Sequence, residues 1–127
     1  MRSLTVASEM VPWARVSCVN INATSSQRNA SLRNSPHTRF PVVDKSGQVQ
    51  GVLPAIAALL ELEKPTSDIM QPVQFIDSTM SVGQAIKQVR GSGQAIAIVT
   101  SPNSKTPIGV VTLKDLVEPL VGELAAW

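Results

Sequence analysis

The chain has 127 residues, 43% of them hydrophobic and 16% charged, and a formal net charge of +2; this composition is typical of a globular protein and excludes an intrinsically disordered one. A single histidine and a single cysteine leave no recognisable catalytic triad or zinc cluster, so we expect no enzyme and no tightly bound metal. The surplus of cations lies in residues 1–62, with six Lys or Arg against three acids, but an aromatic content of 3% argues against a nucleic-acid partner.

The first quarter of the chain predicts a strand followed by a polar helix. Val16–Ile21 reads as a strand, in which Cys18 would be a small core residue. Thr24–Asn34 predicts a weakly amphipathic helix, since Ala30 and Leu32 are its apolar residues.

A hairpin and a second helix follow. Thr38–Val43 and Gln48–Leu53 should pair around the turn-rich segment Asp44–Gly47. In the next helix, the spacing predicts a buried face made of Ile56, Leu59 and Leu60. The longest apolar run, Gly51–Leu60, is too short to span a membrane. Since no signal peptide opens the chain, we expect a soluble, intracellular chain.

The second half predicts the same order of elements. A short strand at Val73–Ile76 precedes a helix with Ser81 at its N-cap and Gln84 at N3, ended by Gly91 and Gly93. Two strands should follow, at Ile96–Val99 and Ile108–Val111.

The last helix should bury one apolar stripe and should kink or break at Pro119, which lacks a backbone donor. The stripe consists of Leu113, Leu116, Val117, Leu120, Val121 and Leu124.

Three blocks of the sequence recur in the same order about 57 residues further along. The paired blocks are Ser8–Pro12 with Asp68–Pro72, Arg39–Asp44 with Ala95–Thr100, and Gly51–Leu53 with Gly109–Val111. We therefore interpret the chain as a duplication, with repeats at residues 7–63 and 64–124, each of β-α-β-β-α order. The predicted fold is α/β (α+β), with the two repeats packed as one pseudo-twofold pair.

This duplicated order, with Gly109–Asp115 at its last strand-to-helix turn, resembles the cystathionine-β-synthase-type (CBS) domain pair. Two segments, Ser35–Val42 and Val111–Leu124, are similar to motifs of CorC/HlyC-type proteins, the hemolysin-like relatives of the cyclin M transporters. The resemblance implies a homodimer that binds an adenine nucleotide, ATP or AMP with or without Mg²⁺. It also implies a membrane domain for magnesium or cobalt transport in the parent protein, with the CBS pair at the cytoplasmic face.

Thr112 and Asp115 have two readings. The helix N-terminus, the Thr112 hydroxyl and the Asp115 carboxylate could hold a phosphate and a ribose. Taken alone, however, the Thr-x-x-Asp tetrapeptide favours a helix cap of the capping-box type. The resemblance to CBS pairs favours the nucleotide, because the Thr/Ser-x-x-Asp position is where those pairs hold adenosine phosphates. In the first repeat, Pro54 and Ala57 stand at the matching positions, so we expect one competent site per chain, completed by the first repeat.

The resemblance also implies contributions from the first repeat. His37 would stack on adenine or approach a phosphate, and Arg39 would neutralise phosphate charge. The alternative is that both residues are surface residues at a strand edge and bind no ligand. Val11 lies where relatives often have Thr or Ser, and it cannot supply a hydroxyl. Val16 and Ile108 are candidates for the walls around adenine, or else core residues.

Together these features predict a non-catalytic regulatory module in which bound nucleotide favours one arrangement of the repeats and so biases an attached transporter. The alternative is a structural or dimerising module whose nucleotide sites have decayed.

Overall fold

The structure is a computed structural model that describes residues 4–125, with side chains described as far as Val121. Within these residues it is a mixed α+β protein, as predicted, and its strands form two sheets. Its α-helices are α1 (Val6–Glu9), α2 (Ser25–Arg33), α3 (Ala55–Leu60), α4 (Thr66–Ile69), α5 (Val82–Ser92) and α6 (Leu113–Ala125). Its strands are β1 (Val11–Pro12), β2 (Val19–Asn20), β3 (Arg39–Val43), β4 (Val49–Pro54), β5 (Phe75–Asp77), β6 (Ile96–Thr100) and β7 (Pro107–Thr112).

The chain divides into two compact units. The continuous unit is Ser17–Val73, and the discontinuous unit consists of the described residues of Met1–Val16 together with those of Gln74–Trp127. The start of the chain thus belongs with the second half of the sequence. The predicted repeats, residues 7–63 and 64–124, remain a prediction about the sequence, because the two structural units divide the chain at other places, after Val16 and after Val73.

The continuous unit is built on a three-stranded sheet in the order β2-β3-β4. The hairpin predicted around Asp44–Gly47 is confirmed: Gly47 has a φ of 86°, which a glycine adopts at little cost. Helix α2 is also confirmed. Thr24 and Gln27 form a complete capping box at its start, which satisfies two of the helix's free backbone donors. The sheet and helices enclose an apolar core of Val19, Leu32, Phe40, Val42, Leu53, Ala55 and Ala58.

The discontinuous unit is built on a four-stranded sheet in the order β1-β7-β6-β5. All five residues of β6 are buried, because this strand lies between two neighbours and is covered on both faces. Ser81 accepts a hydrogen bond from the Gln84 backbone and starts α5 as predicted. The core of this unit consists of Val6, Ile76, Val82, Ala85, Val89, Ala97, Val99, Val111 and Leu116.

The predicted buried face of α3 is wrong in part. Ile56 and Leu60 are 69% and 79% exposed, whereas Ala55 and Ala58 are buried and Leu59 packs partly against the core. Small side chains allow a helix backbone to lie close to the sheet, so the alanines take the inner face and the larger residues of the pattern face outward.

Three expectations about α5 and α6 also need correction. Gly91 lies inside α5, and Gly93, with a φ of 73°, is the residue that ends it. Of the kink or break expected at Pro119, the break does not occur, because helix α6 continues through this residue; one missing donor removes one hydrogen bond without having to end a helix. Leu116 is buried, but Leu120 and Val121 are exposed, and Leu124 lies outside the residues whose side chains are described.

The predicted strand at Val16–Ile21 is shortened to β2, and its Cys18 is exposed. Two residues of β2 pair with β3, at Val19↔Val42 and Asn20↔Val43. Cys18 lies just before this pairing begins, so it is not enclosed by the sheet as a core residue would be.

Candidate functional site

Thr112 and Asp115 form a reciprocal pair at the turn from β7 to α6. The Thr112 backbone N–H donates to Asp115 Oδ2 at 3.0 Å, and the Asp115 N–H donates to Thr112 Oγ1 at 3.2 Å. Both residues are half-buried. This is a capping box in which Asp replaces the usual Glu or Gln. The interpretation of Thr-x-x-Asp as a helix cap is therefore confirmed.

The cap does not use all the hydrogen-bonding capacity of these two side chains. A hydroxyl has one donor and two acceptor lone pairs, and an ionised carboxylate has two acceptor oxygens. In the cap, Thr112 Oγ1 acts as an acceptor, and Asp115 uses Oδ2. The Thr112 hydroxyl proton and Asp115 Oδ1 are therefore chemically able to bind a further group.

The matching turn of the continuous unit lacks this chemistry. Pro54 is the N-cap residue of α3 and makes no side-chain cap hydrogen bond, and the helix has six residues. Ala57, at the position that matches Asp115, has no polar side-chain atom. In both units a strand thus leads directly into a helix, and the two turns differ in their polar groups.

The structure places Val11, Val16 and Ile108 in the same unit as Thr112 and Asp115. Val11 lies on β1, beside Val110 of β7, and is 36% exposed. The half-buried Val16 donates its backbone N–H to the Trp13 carbonyl oxygen at 3.0 Å, at the end of a short 3-10 turn. Ile108 packs partly against the core, which agrees with the core role that its apolar character allowed.

His37 and Arg39 lie in the continuous unit, at the start of β3, and both are exposed. The His37 ring meets the Phe40 ring edge-on, with centroids 6.3 Å apart. The His37 backbone N–H donates to Ser35 Oγ at 3.2 Å. Arg39 is the first residue of β3, pairs in register with Pro54 of β4, and has an exposed side chain.

An open cavity of about 590 Å³ lies beside His37 within the continuous unit. Its lining is mixed: hydroxyl, amide and imidazole groups alternate with apolar walls, from Ser17, Cys18, Val19, Ser31, Asn34, Ser35, Pro36, His37 and Phe40. Of the residues that line this cavity, His37 was predicted from the sequence as a binding residue. The others were not, because the lining residues come from three separate segments that meet in the folded unit.

Although Cys18 is exposed as a residue, partial burial of its sulfur raises the pKa of the thiol above its ordinary value. The thiol is therefore protonated at neutral pH and a weak nucleophile. Across the part of the chain that the structure describes, no group of three or more His, Cys, Asp or Glu residues could hold a metal ion. No helix among residues 4–125 is long and apolar enough to cross a membrane.

Comparison with known proteins extends these observations. The CBS domain family model matches residues 67–122. A protein from Mycobacterium tuberculosis of uncharacterised function is 28% identical over 98% of this chain, which corresponds to 38% of that protein's length. The chain thus spans well under half of this relative.

Solved structures share the fold over almost the whole chain. The CBS domain of a bacterial CNNM/CorC-family Mg²⁺ transporter in complex with ATP is 26% identical, with a TM-score of 0.86 over 94% of this chain and 88% of that one. A CBS-domain pair with bound AMP from Klebsiella pneumoniae is 17% identical, with a TM-score of 0.82 over 94% of this chain and 99% of that one, and supports the fold alone. The resemblance predicted from the sequence is confirmed: residues 67–122 match the CBS domain family model, and the chain is similar in sequence and fold to a CBS domain of the CorC/CNNM family.

Proposed function

We propose that the chain is a non-catalytic regulatory module that binds an adenine nucleotide, ATP or AMP, with or without Mg²⁺. The observation that carries the proposal is the Thr112–Asp115 cap, which leaves a hydroxyl proton and a carboxylate oxygen at the N-terminus of α6. A helix N-terminus favours phosphate, and a carboxylate oxygen accepts hydrogen bonds from ribose hydroxyls. The CorC/CNNM-family CBS domain with a similar fold is in complex with ATP, which supports the same ligand class here.

We also propose His37 and Arg39 of the continuous unit as nucleotide-binding residues, and Val11, Val16 and Ile108 of the discontinuous unit as apolar contacts. Imidazole presents a flat face to a base, and guanidinium neutralises phosphate charge through paired hydrogen bonds. The cavity beside His37, with its apolar and polar walls, suits a heteroaromatic base, which has flat apolar faces and a polar edge.

The regulated partner in this proposal is a membrane domain for magnesium or cobalt transport in the same protein, with the module at its cytoplasmic face. Two observations support this proposal. The chain is similar to the CBS domain of a Mg²⁺ transporter, and it corresponds to 38% of the length of the Mycobacterium tuberculosis relative. Nucleotide would bias the transporter by binding one conformation of the module more tightly than another.

The test is a calorimetric titration with ATP, ADP and AMP, with and without Mg²⁺. Asp115→Asn is the diagnostic variant, because an Asn side chain still accepts the Thr112 N–H as a cap but lacks the charge and one acceptor that ribose would use. We expect wild-type protein to bind and Asp115→Asn to lose affinity by about tenfold or more, with unchanged thermal stability. Asp68→Asn, on α4, is the control and should bind normally.

Full affinity in Asp115→Asn would contradict the assigned role of Asp115. Absence of heat and of thermal shift at millimolar nucleotide in the wild-type protein would contradict nucleotide binding altogether.

The second candidate is a structural module that dimerises without ligand. It is favoured by exposed apolar residues on two helices, Ile56 and Leu60 on α3 and Leu120 and Val121 on α6. Homodimerisation is compatible with both candidates, so sedimentation of the ligand-free wild type and of Leu60→Ser measures it separately. A dimer that binds no nucleotide would select this second candidate.

A further inference from the structure

Residues 4–12, which we call the N-terminal strap, are held at two places on the discontinuous unit. The first is α1, where Val6 is fully buried in the core. The backbone N–H groups of Val6 and Ala7 donate to the carbonyl oxygens of Met80 at 2.9 Å and Ser78 at 3.1 Å. The strap is thus fixed by tertiary contacts with residues far away in the sequence.

The second place is β1, which forms the edge of the sheet. Val11 and Pro12 pair antiparallel with Val110 and Gly109 of β7. A Cβ atom at Gly109 would lie 2.6 Å from Met10 Sδ and 2.7 Å from the Val11 carbonyl oxygen, distances that no side chain tolerates. The absence of a side chain at Gly109 is therefore what allows the strap to dock.

Strand β7 connects the strap to the proposed site. It lies between β1 and β6, and its last residue is Thr112. When the strap leaves, β7 becomes an edge strand and loses its partner two residues before Thr112. A ligand that needs Thr112 and the first turn of α6 in place should bind more tightly when the strap is docked.

We propose that strap docking and nucleotide binding at Thr112 and Asp115 stabilise each other, so that ligand occupancy is transmitted to the start of the chain. This inference rests on the proposed function and adds the route of regulation. Thermodynamic linkage makes the coupling reciprocal: ligand holds the strap, and a docked strap raises affinity by the same factor.

The continuous unit supplies a matched comparison. There, a Cβ atom at Gly51 would lie 2.8 Å from Met70 Sδ and 2.9 Å from the Gln71 carbonyl oxygen, so the same Met–Gly packing occurs on β4. Strand β4 leads to Pro54, which carries no polar group for a ligand. Gly51 and Gly109 are therefore packed alike, but β4 ends at Pro54 whereas β7 ends at Thr112.

The first experiment is hydrogen exchange of the wild-type protein with and without saturating ATP. We expect the amides of Val6 and Ala7 to exchange about fivefold or more slowly with ATP, although they lie at the far anchor of the strap. Residues 66–72, which pack on β4, are the internal comparison and should show a smaller change.

The second experiment compares ATP affinity in Gly109→Ala and Gly51→Ala. Gly109→Ala should weaken ATP binding by about fivefold or more, and Gly51→Ala should weaken it less. The inference is overturned if wild type binds ATP while Val6 and Ala7 exchange at an unchanged rate, whether or not the variants fold. Failure of wild type to bind ATP at all is a different result, and it overturns the proposed function together with the inference.

Discussion

Arg28 carries a positive charge into the continuous unit, where its side chain is 1% exposed. Its guanidinium donates to the Lys64 carbonyl oxygen at 2.6 Å and to Thr66 Oγ1 at 3.3 Å. The carbonyl oxygens of Glu61 and Leu62 each lie 3.4 Å from Nη2. Burial lowers the pKa of the Arg28 guanidinium, but arginine stays protonated at any physiological pH. Arg28 thus joins α2 to the segment that leads out of α3.

Arg28→Met should destabilise the protein by about 2 kcal/mol, because the oxygens that Arg28 satisfies would lose a shared donor. The matched control is Arg33→Met, at an exposed position in the last turn of the same helix, which should change stability by less than about 0.5 kcal/mol. Urea unfolding measures both. Equal effects of the two substitutions would show that the Arg28 contacts are not stabilising.

Asp44 organises the hairpin between β3 and β4. Its Oδ1 accepts from the Ser46 hydroxyl at 2.7 Å and from the Gln48 backbone N–H at 3.0 Å, and its Oδ2 accepts from Gln50 Nε2 at 2.9 Å. These hydrogen bonds, that from the Ser46 hydroxyl foremost, hold the pKa of the Asp44 carboxyl below its ordinary value of 3.8. The ionised form is therefore the form that the turn favours.

Because the pKa of Asp44 is lowered in the folded state, its ionised form should stabilise the hairpin fully when the pH is above the ordinary pKa of 3.8. This stabilisation should be lost as the pH falls through the folded-state pKa. Wild type should exceed Asp44→Asn in free energy of unfolding at neutral pH, and the difference should shrink in acid. Denaturant unfolding across pH, with an NMR titration of the Asp44 carboxyl carbon, measures both quantities. Titration at the ordinary pKa would contradict the expectation.

Helix α5 shows how position decides what a glycine does. Gly91 lies within the helix, whereas Gly93 ends it in the left-handed region. Neither would bring a Cβ atom within 4 Å of another group, so steric crowding is absent at both. What differs is the backbone conformation that each residue adopts.

Gly91→Ala should stabilise the protein by about 0.5–1 kcal/mol, because Ala loses less conformational entropy in a helix. Gly93→Ala should destabilise it by about 1 kcal/mol, since a Cβ atom is strained at positive φ. Thermal unfolding of the two variants side by side measures the difference. If both substitutions changed the stability in the same direction, the C-terminus of α5 would have to lie at a residue other than Gly93.

Local patterns in the sequence predicted the elements better than their orientation. The cap at Ser81 and the Asp44–Gly47 turn act between neighbours in the chain, so the sequence showed them directly. Apolar spacing in α3 identified a helix, but it could not show that Ala55 and Ala58 would take the inner face. Arg28 reads as a solvated charge in the sequence, because its carbonyl partners are brought to it by folding.

At the scale of the whole molecule, the repeat was visible in the sequence, but the exchange of leading segments between its halves was not. Residues 8–12 and 68–72 look alike in the sequence, and the structure places one beside β7 and the other beside β4. In each unit a glycine on the receiving strand fits the methionine of the incoming segment. Of the candidate site, Thr112 and Asp115 could be predicted from one short motif, whereas the cavity beside His37 needed three segments to meet.

The exchange also sets an order for folding during synthesis. Ser17–Val73 is continuous in the sequence, so all the strands and helices of this unit are available as soon as its last residue has left the ribosome. The strap emerges earlier still, yet its partner strand ends at Thr112. The strap must therefore wait, with Val6 and Met10 exposed to water, until β7 has also been translated. A nascent chain of this protein is most open to misfolding or capture by chaperones during that interval.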